Sequence, residues 1–238
     1  MRMKRFYIAA TAAAVLVGAQ CMSWAALSLE GQSGIFLNGL AYTVNPGKTE
    51  VSAHDVNLSG LGSVQTYSIT TGLTHGIELG YTRIGSEVSG VASQDVINAK
   101  WNFAKESKTA PAISVWTISR SLTGGSNSID FGVSASKIIP LGKTPLVVDL
   151  GARSTRAKGL GLFGYSNDRE VKLEGSAAIF LTKKFAVGTE FKEQIGGDTW
   201  KDIAFRYVAS DKLNIDAGIA DLGPGLRNQI ALAATRVF

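Results

Sequence analysis

Apolar and polar residues alternate along most of this chain. In residues 213–219, Leu213, Ile215, Ala217 and Ile219 take one face while Asn214, Asp216 and Gly218 take the other. Residues 203–208 set Ile203, Phe205 and Tyr207 against Ala204, Arg206 and Val208, and residues 129–136 set Ile129, Phe131 and Val133 against Asp130, Gly132, Ser134 and Ser136. Residues 171–182 repeat the pattern, with Val171, Leu173, Ala177, Ile179 and Leu181 against Lys172, Glu174, Ser176 and Thr182. A period of two puts each set on one side of a strand, and past the N-terminus no helical periodicity competes with it. The pattern predicts strands over 49–58, 64–72, 76–84, 95–104, 111–121, 127–139, 145–156, 169–182, 185–194, 200–209, 213–221 and 227–238. Most are close to the roughly 9–11 residues that a tilted strand needs to cross a bilayer. Leu73-Thr74-His75, Lys183-Lys184 and Ser210-Asp211-Lys212 make tight connections, whereas 85–94 and 157–168 are longer. The expected fold is all-β, a transmembrane antiparallel β-barrel of about 12 strands, with its tight turns and both termini on the periplasmic side. A soluble β-sandwich or solenoid would also alternate; the strand lengths and the charges opposite the apolar face argue against it.

The N-terminus points the same way. Arg2, Lys4 and Arg5 precede an uncharged stretch from Phe6 to Ala19, and Ser23-Trp24-Ala25 supplies small residues around a large one. This reads as a secretory signal peptide over 1–25, because the apolar stretch is shorter than a membrane-spanning helix. Cys21 raises a lipoprotein alternative, but Gln20 is a poor fit before a lipidated cysteine. Removing 1–25 takes three of the 24 basic residues and none of the 19 acidic ones, so the net charge of +5 falls to +2. The basic balance therefore carries no indication of nucleic-acid binding. The chain's one cysteine would go as well, leaving no disulfide and no thiol nucleophile.

Residues 26–48 form an N-terminal segment ahead of the barrel proper, 49–238. Asn45-Pro46-Gly47-Lys48 has Pro and Gly where a type II turn wants them, which would make 35–44 a thirteenth strand. Bacterial single-chain barrels have even counts, so the segment is expected to lie in the lumen or along the rim as a partial plug.

Strand parity collects charges on the inner face: Lys100, Asp130, Asp149, Arg153, Lys172, Glu174, Glu190, Lys192, Asp202, Arg206 and Asp216. Facing lipid at mid-depth, Arg or Lys would cost about 2–4 kcal/mol. Two readings stand open: a water-filled passage for small polar solutes, or a ladder of ion pairs that closes a narrow barrel. Trp101, Phe103, Tyr81, Tyr207, Phe185 and Trp200 fall near strand ends, where aromatic girdles sit, and Trp116 lies on a strand of unclean parity.

Candidate chemistry adds little. Gly159-Leu160-Gly161-Leu162-Phe163-Gly164 satisfies GxGxxG, yet no helix follows and a flexible outer loop is expected. Ser134-Ala135-Ser136-Lys137 satisfies SxxK but sits on a strand without partner motifs. A hydrolase needs a histidine beside a nucleophile. His75 lies in a tight turn, and His54 is expected to meet Ser52 or Asp55 only across faces. No metal or other cofactor is expected.

Asn228 to Phe238, NQIALAATRVF, resembles the terminal strand of bacterial outer-membrane β-barrel proteins. Ile230, Leu232, Ala234 and Phe238 keep that alternation, and Arg236 departs from it. The resemblance implies an outer-membrane location, contact with outer-membrane lipid and recognition of Phe238 by the barrel assembly machinery. Gly31 to His54 resembles the opening of outer-membrane barrels associated with exopolysaccharide export, with Gly39 where that group usually has proline. The resulting expectation is a porin-like narrow channel for passive diffusion of small hydrophilic solutes. The alternatives are a non-conducting structural or export-associated barrel serving a surface polysaccharide, and an outer-membrane hydrolase.

Overall fold

The computed structural model describes residues 26–238 except 59, 90, 124, 143 and 224–227. The expected signal peptide lies outside the described residues. Two short strands, β1 (Ala26–Leu27) and β2 (Ser33–Gly34), pair with each other ahead of a closed barrel. The barrel strands are β3 (Thr49–Leu58), β4 (Gly62–Gly72), β5 (Ile77–Ser86), β6 (Gln94–Ala104), β7 (Ala112–Leu122), β8 (Asn127–Leu141), β9 (Thr144–Ala157), β10 (Tyr165–Phe180), β11 (Phe185–Glu193), β12 (Thr199–Ser210), β13 (Leu213–Asp221) and β14 (Gln229–Val237). They number twelve, as the alternation predicts. Every neighbouring pair is antiparallel, and β14 closes the ring on β3, with Ala234 opposite Ala53 and Ile230 opposite Asn57. Closure removes the edges that lipid could not hydrate.

Alternation gives the wall two faces. Ile97, Phe131, Leu150, Ile203, Ile230 and Leu232 are exposed on the outside, forming an apolar surface that suits lipid. The inside is buried, but it changes character around the ring, since apolar Val96 and Trp200 stand opposite Arg120 and Lys192 in the register. Toward the end bearing the connections 87–93, 158–164 and 194–198, Val56, Leu58, Val64, Ile84 and Val96 face inward and are buried, while Asp55 and Asn57 face out and are exposed. There the parity of β3 is reversed, apolar in and polar out. The sequence expectation of a uniformly polar inner face holds only for the rest of the lumen.

Residues 35–44 form no thirteenth strand. Asn45 to Lys48 is the turn the sequence suggests: the Lys48 N–H donates to the Asn45 carbonyl at 3.0 Å, with Gly47 at φ 75. The chain before it lies inside the barrel. From Ala26 to Ala41 every residue is buried, and its polar atoms reach β4, β5, β6, β7, β8, β11 and β12 around the ring.

Candidate functional site: a lumen sealed by ion pairs

The inner face of the barrel and the segment 26–44 meet through charge. Glu30 lies on the segment, and its carboxylate takes the Arg120 guanidinium on one oxygen and the Lys192 ammonium, at 2.9 Å, on the other. Arg120 also pairs with Asp130, and Lys192 lies 3.3 Å from Glu174. Burial alone would raise the Glu30 carboxyl, but Arg120, Lys192 and Arg153 together outweigh it and hold it well below the usual carboxylate range. Glu30 therefore stays ionised.

Two further anchors hold the segment. Glu190 on β11 accepts three successive backbone N–H groups, from Phe36 at 2.6 Å, Leu37 at 2.9 Å and Asn38 at 2.8 Å. Such a run of N–H groups makes a concave anion site. On the opposite wall the Lys100 ammonium donates to the Ser33 and Leu40 carbonyls, both at 2.8 Å, and pairs with Glu78 at 3.0 Å. Glu78 in turn accepts from Ser33 and from the Val44 N–H. The segment is thus pinned from several sides, through its own backbone as much as its side chains. Gly31, at φ +79, shows how close the fit is: a Cβ there would stand 2.0 Å from Thr82 Oγ1.

Of the charges that sequence parity assigns to the inner face, Lys100, Asp130, Asp149, Arg153, Glu174, Glu190, Lys192, Asp202, Arg206 and Asp216 are buried in the lumen. Lys172 lies partly exposed, 2.7 Å from Glu170. Arg206 pairs with Asp216 at 2.7 Å, and Arg153 approaches Glu174 at 3.7 Å. Among the described residues nine carboxylates are buried against five Lys and Arg side chains, so ion pairs alone do not balance the interior. Glu190 makes up part of the difference with backbone N–H groups. Its register partner Asp202 has no hydrogen-bond donor on either oxygen.

Sequence reasoning missed Glu30, Glu78 and Arg120. Glu78 could have been found, since it alternates with Leu79 and Tyr81. Arg120 shares its inward face with Trp116 and Ile118, both buried, and these blur the parity of β7. Glu30 lies outside any barrel strand and carries no parity signal.

Three expectations need correction. Trp200 is buried inside the barrel at 3% exposure rather than placed in a girdle, because it takes an inward position of β12 and joins the apolar cluster around Leu160. Trp101, Phe103, Tyr81, Tyr207 and Phe185 are exposed on the outside. The glycine-rich stretch 159–164 is no flexible outer loop. Leu160 and Leu162 turn inward and are buried, and the Gln94 side chain donates to the Leu160 carbonyl at 2.9 Å. Ser52 shares the inner face with His54, since residues two apart point the same way. No Ser–His hydrogen bond forms between them, because the ring nitrogens meet the Leu27 carbonyl at 2.9 Å and Thr66 Oγ1 at 3.0 Å.

Little space remains. Among the described residues, small cavities of ≈ 30 Å³ include one beside Ile35 and Arg206 and one beneath Leu160 and Trp200. Arg206 and Asp216 on the wall of the first can hold a water, whereas the second is lined almost wholly by apolar side chains and is dry. Neither is a pore.

Comparison with known proteins gives a family and a fold. The sequence profile of the family described as "Protein of unknown function (DUF3034)" matches residues 25–232. No curated protein sequence matches the chain. Among solved structures, the KdgM porin is similar with a TM-score of 0.59 and 12% identity over 80% of this chain and 99% of its own. The NanC porin gives 0.53 and 10% over 79% and 98%. The outer membrane protein Omp33 of Acinetobacter baumannii gives 0.52 and 9% over 80% and 98%. At these identities the likeness is one of fold: the chain shares the closed antiparallel β-barrel of these outer-membrane proteins.

Proposed function

The chain belongs to the DUF3034 family, and we propose that it is a gated outer-membrane channel for small hydrophilic solutes, closed at rest by residues 26–44 acting as a plug. The observation that carries this reading is the Glu190 latch. Three consecutive plug N–H groups bind one wall carboxylate, a contact that can break and re-form as a unit without disturbing the barrel ladder. With the plug withdrawn, Glu30 leaves Arg120 and Lys192 facing water, and the lumen becomes a passage lined by both signs of charge. The KdgM porin, which shares the fold, is known in complex with oligogalacturonate; this supports a polar solute as the class of cargo. Phe238, with its backbone tied to Thr49, takes the part of the terminal aromatic read by the barrel assembly machinery, and cleavage of 1–25 precedes insertion.

The density of ion pairs favours a second reading, a permanently sealed barrel that serves as a structural partner for a surface polysaccharide. Single-channel recording in a planar bilayer separates the two, using chain 26–238 alongside a variant lacking 26–48. The gated channel predicts rare openings from the first and steady conductance from the second. Silence from a correctly folded truncated barrel would reject it and leave the structural reading.

A further inference from the structure

The lipid-facing wall carries a groove where the barrel closes. At the β14–β3 seam the outward residues are small, Ala234 opposite Ala53, while Tyr67 and Ile69 rise beside them on β4. The result is a surface groove of ≈ 440 Å³ whose lining includes Val51, Ala53, Tyr67, Ile69, Ala234 and Arg236.

Two arginines line this groove, and they differ. Arg83 is paired with Asp95 at 2.8 Å. Arg236 occupies an outward position of β14 where alternation calls for an apolar side chain. Its guanidinium lies 5.0 Å over the Phe238 ring, and among the described residues no carboxylate is within ion-pair distance. Arg236 is one residue from the end of β14, at the depth where bilayer hydrocarbon gives way to headgroups, so its charge reaches the interface at little cost. An unpaired cation beside an apolar trough matches a phosphate joined to an acyl chain. A second copy of this chain fits less well, since a two-fold contact over the groove would bring two unneutralised Arg236 side chains to one patch.

We propose that the groove over Ala53 and Ala234 binds one anionic phospholipid, with its phosphate on Arg236 and an acyl chain along the alanine floor. This site is independent of whether the lumen conducts.

The test is native mass spectrometry of the refolded chain 26–238 in detergent, titrated with phosphatidylglycerol. Wild type should retain one tightly bound lipid. Arg236→Gln should weaken it at least roughly tenfold, the loss of one charge-assisted contact, and Arg236→Lys should restore most of the affinity. Ala234→Leu fills the trough and should abolish binding with Arg236 intact; should that variant fail to fold, Ala53→Leu fills the same floor from the neighbouring strand. Equal retention of phosphatidylglycerol by wild type and the folded groove-filled variant would overturn the proposal. So would a lipid-free dimer that the groove-filling substitution dissolves, which would assign the groove to a second copy.

Discussion

Two sides of the lumen are filled by opposite chemistry. Beneath the long connections, against β3 to β6 and the start of β12, the interior is an apolar cluster of Leu29, Phe36, Val56, Leu58, Ile84, Leu160, Leu162 and Trp200, packed as in a soluble core. Beside it, at a depth fixed by the pairing of Val96 with Arg120 and of Trp200 with Lys192, the same barrel is filled by Glu30, Arg120, Asp130, Glu174 and Lys192, each within reach of another's opposite charge. The apolar side excludes water and holds itself by contact area, whereas the ionic side holds only while these charges keep their partners. A buried pair contributes little over an apolar replacement, yet breaking one is expensive. The gating proposed for residues 26–44 draws on the second arrangement, whose contacts are lost together when one charge leaves.

The strongest way to break this contrast is Arg120→Ala. It strips a buried cation from both Glu30 and Asp130, and we expect a loss of about 3–5 kcal/mol in urea unfolding of the detergent-refolded barrel, together with frequent channel openings. Leu160→Ala attacks the apolar side, with an expected loss of about 2–3 kcal/mol and no gain in conductance. Were Leu160→Ala to conduct while Arg120→Ala stayed silent, the seal would lie in the apolar cap and the contrast would be inverted.

Acid sharpens the ionic side. The Glu30 carboxyl is lowered in the folded state from an ordinary value of 4.5, so its stabilising contribution is present above that value and is lost only as pH falls through the lower folded one. Openings that release Glu30 should therefore stay rare at neutral pH and become frequent only in strong acid. Glu30→Gln should remove that acid dependence from the conductance record. The smallest effect belongs to the outer wall, where Arg83 and Asp95 pair near the loop-side ends of β5 and β6 with their side chains about half exposed, within reach of water at the membrane surface. Arg83→Ala should change unfolding by less than about 1 kcal/mol, and a larger loss would mean that exposed pairs carry weight in this barrel.

Much of the barrel was legible in the chain because a strand's period of two records which side each residue faces. The boundaries of β3, β13 and most strands between them follow from alternation and turn residues alone. β10 begins at Tyr165, earlier than the alternation suggests, because its pairing with β9 continues past an irregularity between Tyr165 and Glu170, where the pattern has already lapsed. The inner charges on strands of clean parity, such as Glu190 and Lys192, were legible for the same reason. Parity records side and not depth, however, and so it gave no sign that Val56 and Leu58 enter a dry cluster or that Trp200 joins them.

The alternation by itself determined a barrel of about twelve strands and the inward position of most of its charges, since pleating needs no knowledge of distant residues. Only the tertiary structure decided what those charges meet. Glu30 lies 90 positions from Arg120 and 162 from Lys192, on a segment with no regular strand pattern. Their meeting depends on closing the ring and threading that segment through it. Local periodicity carries no information about partners across a lumen; the closed circumference and the need to neutralise buried charge within it select them.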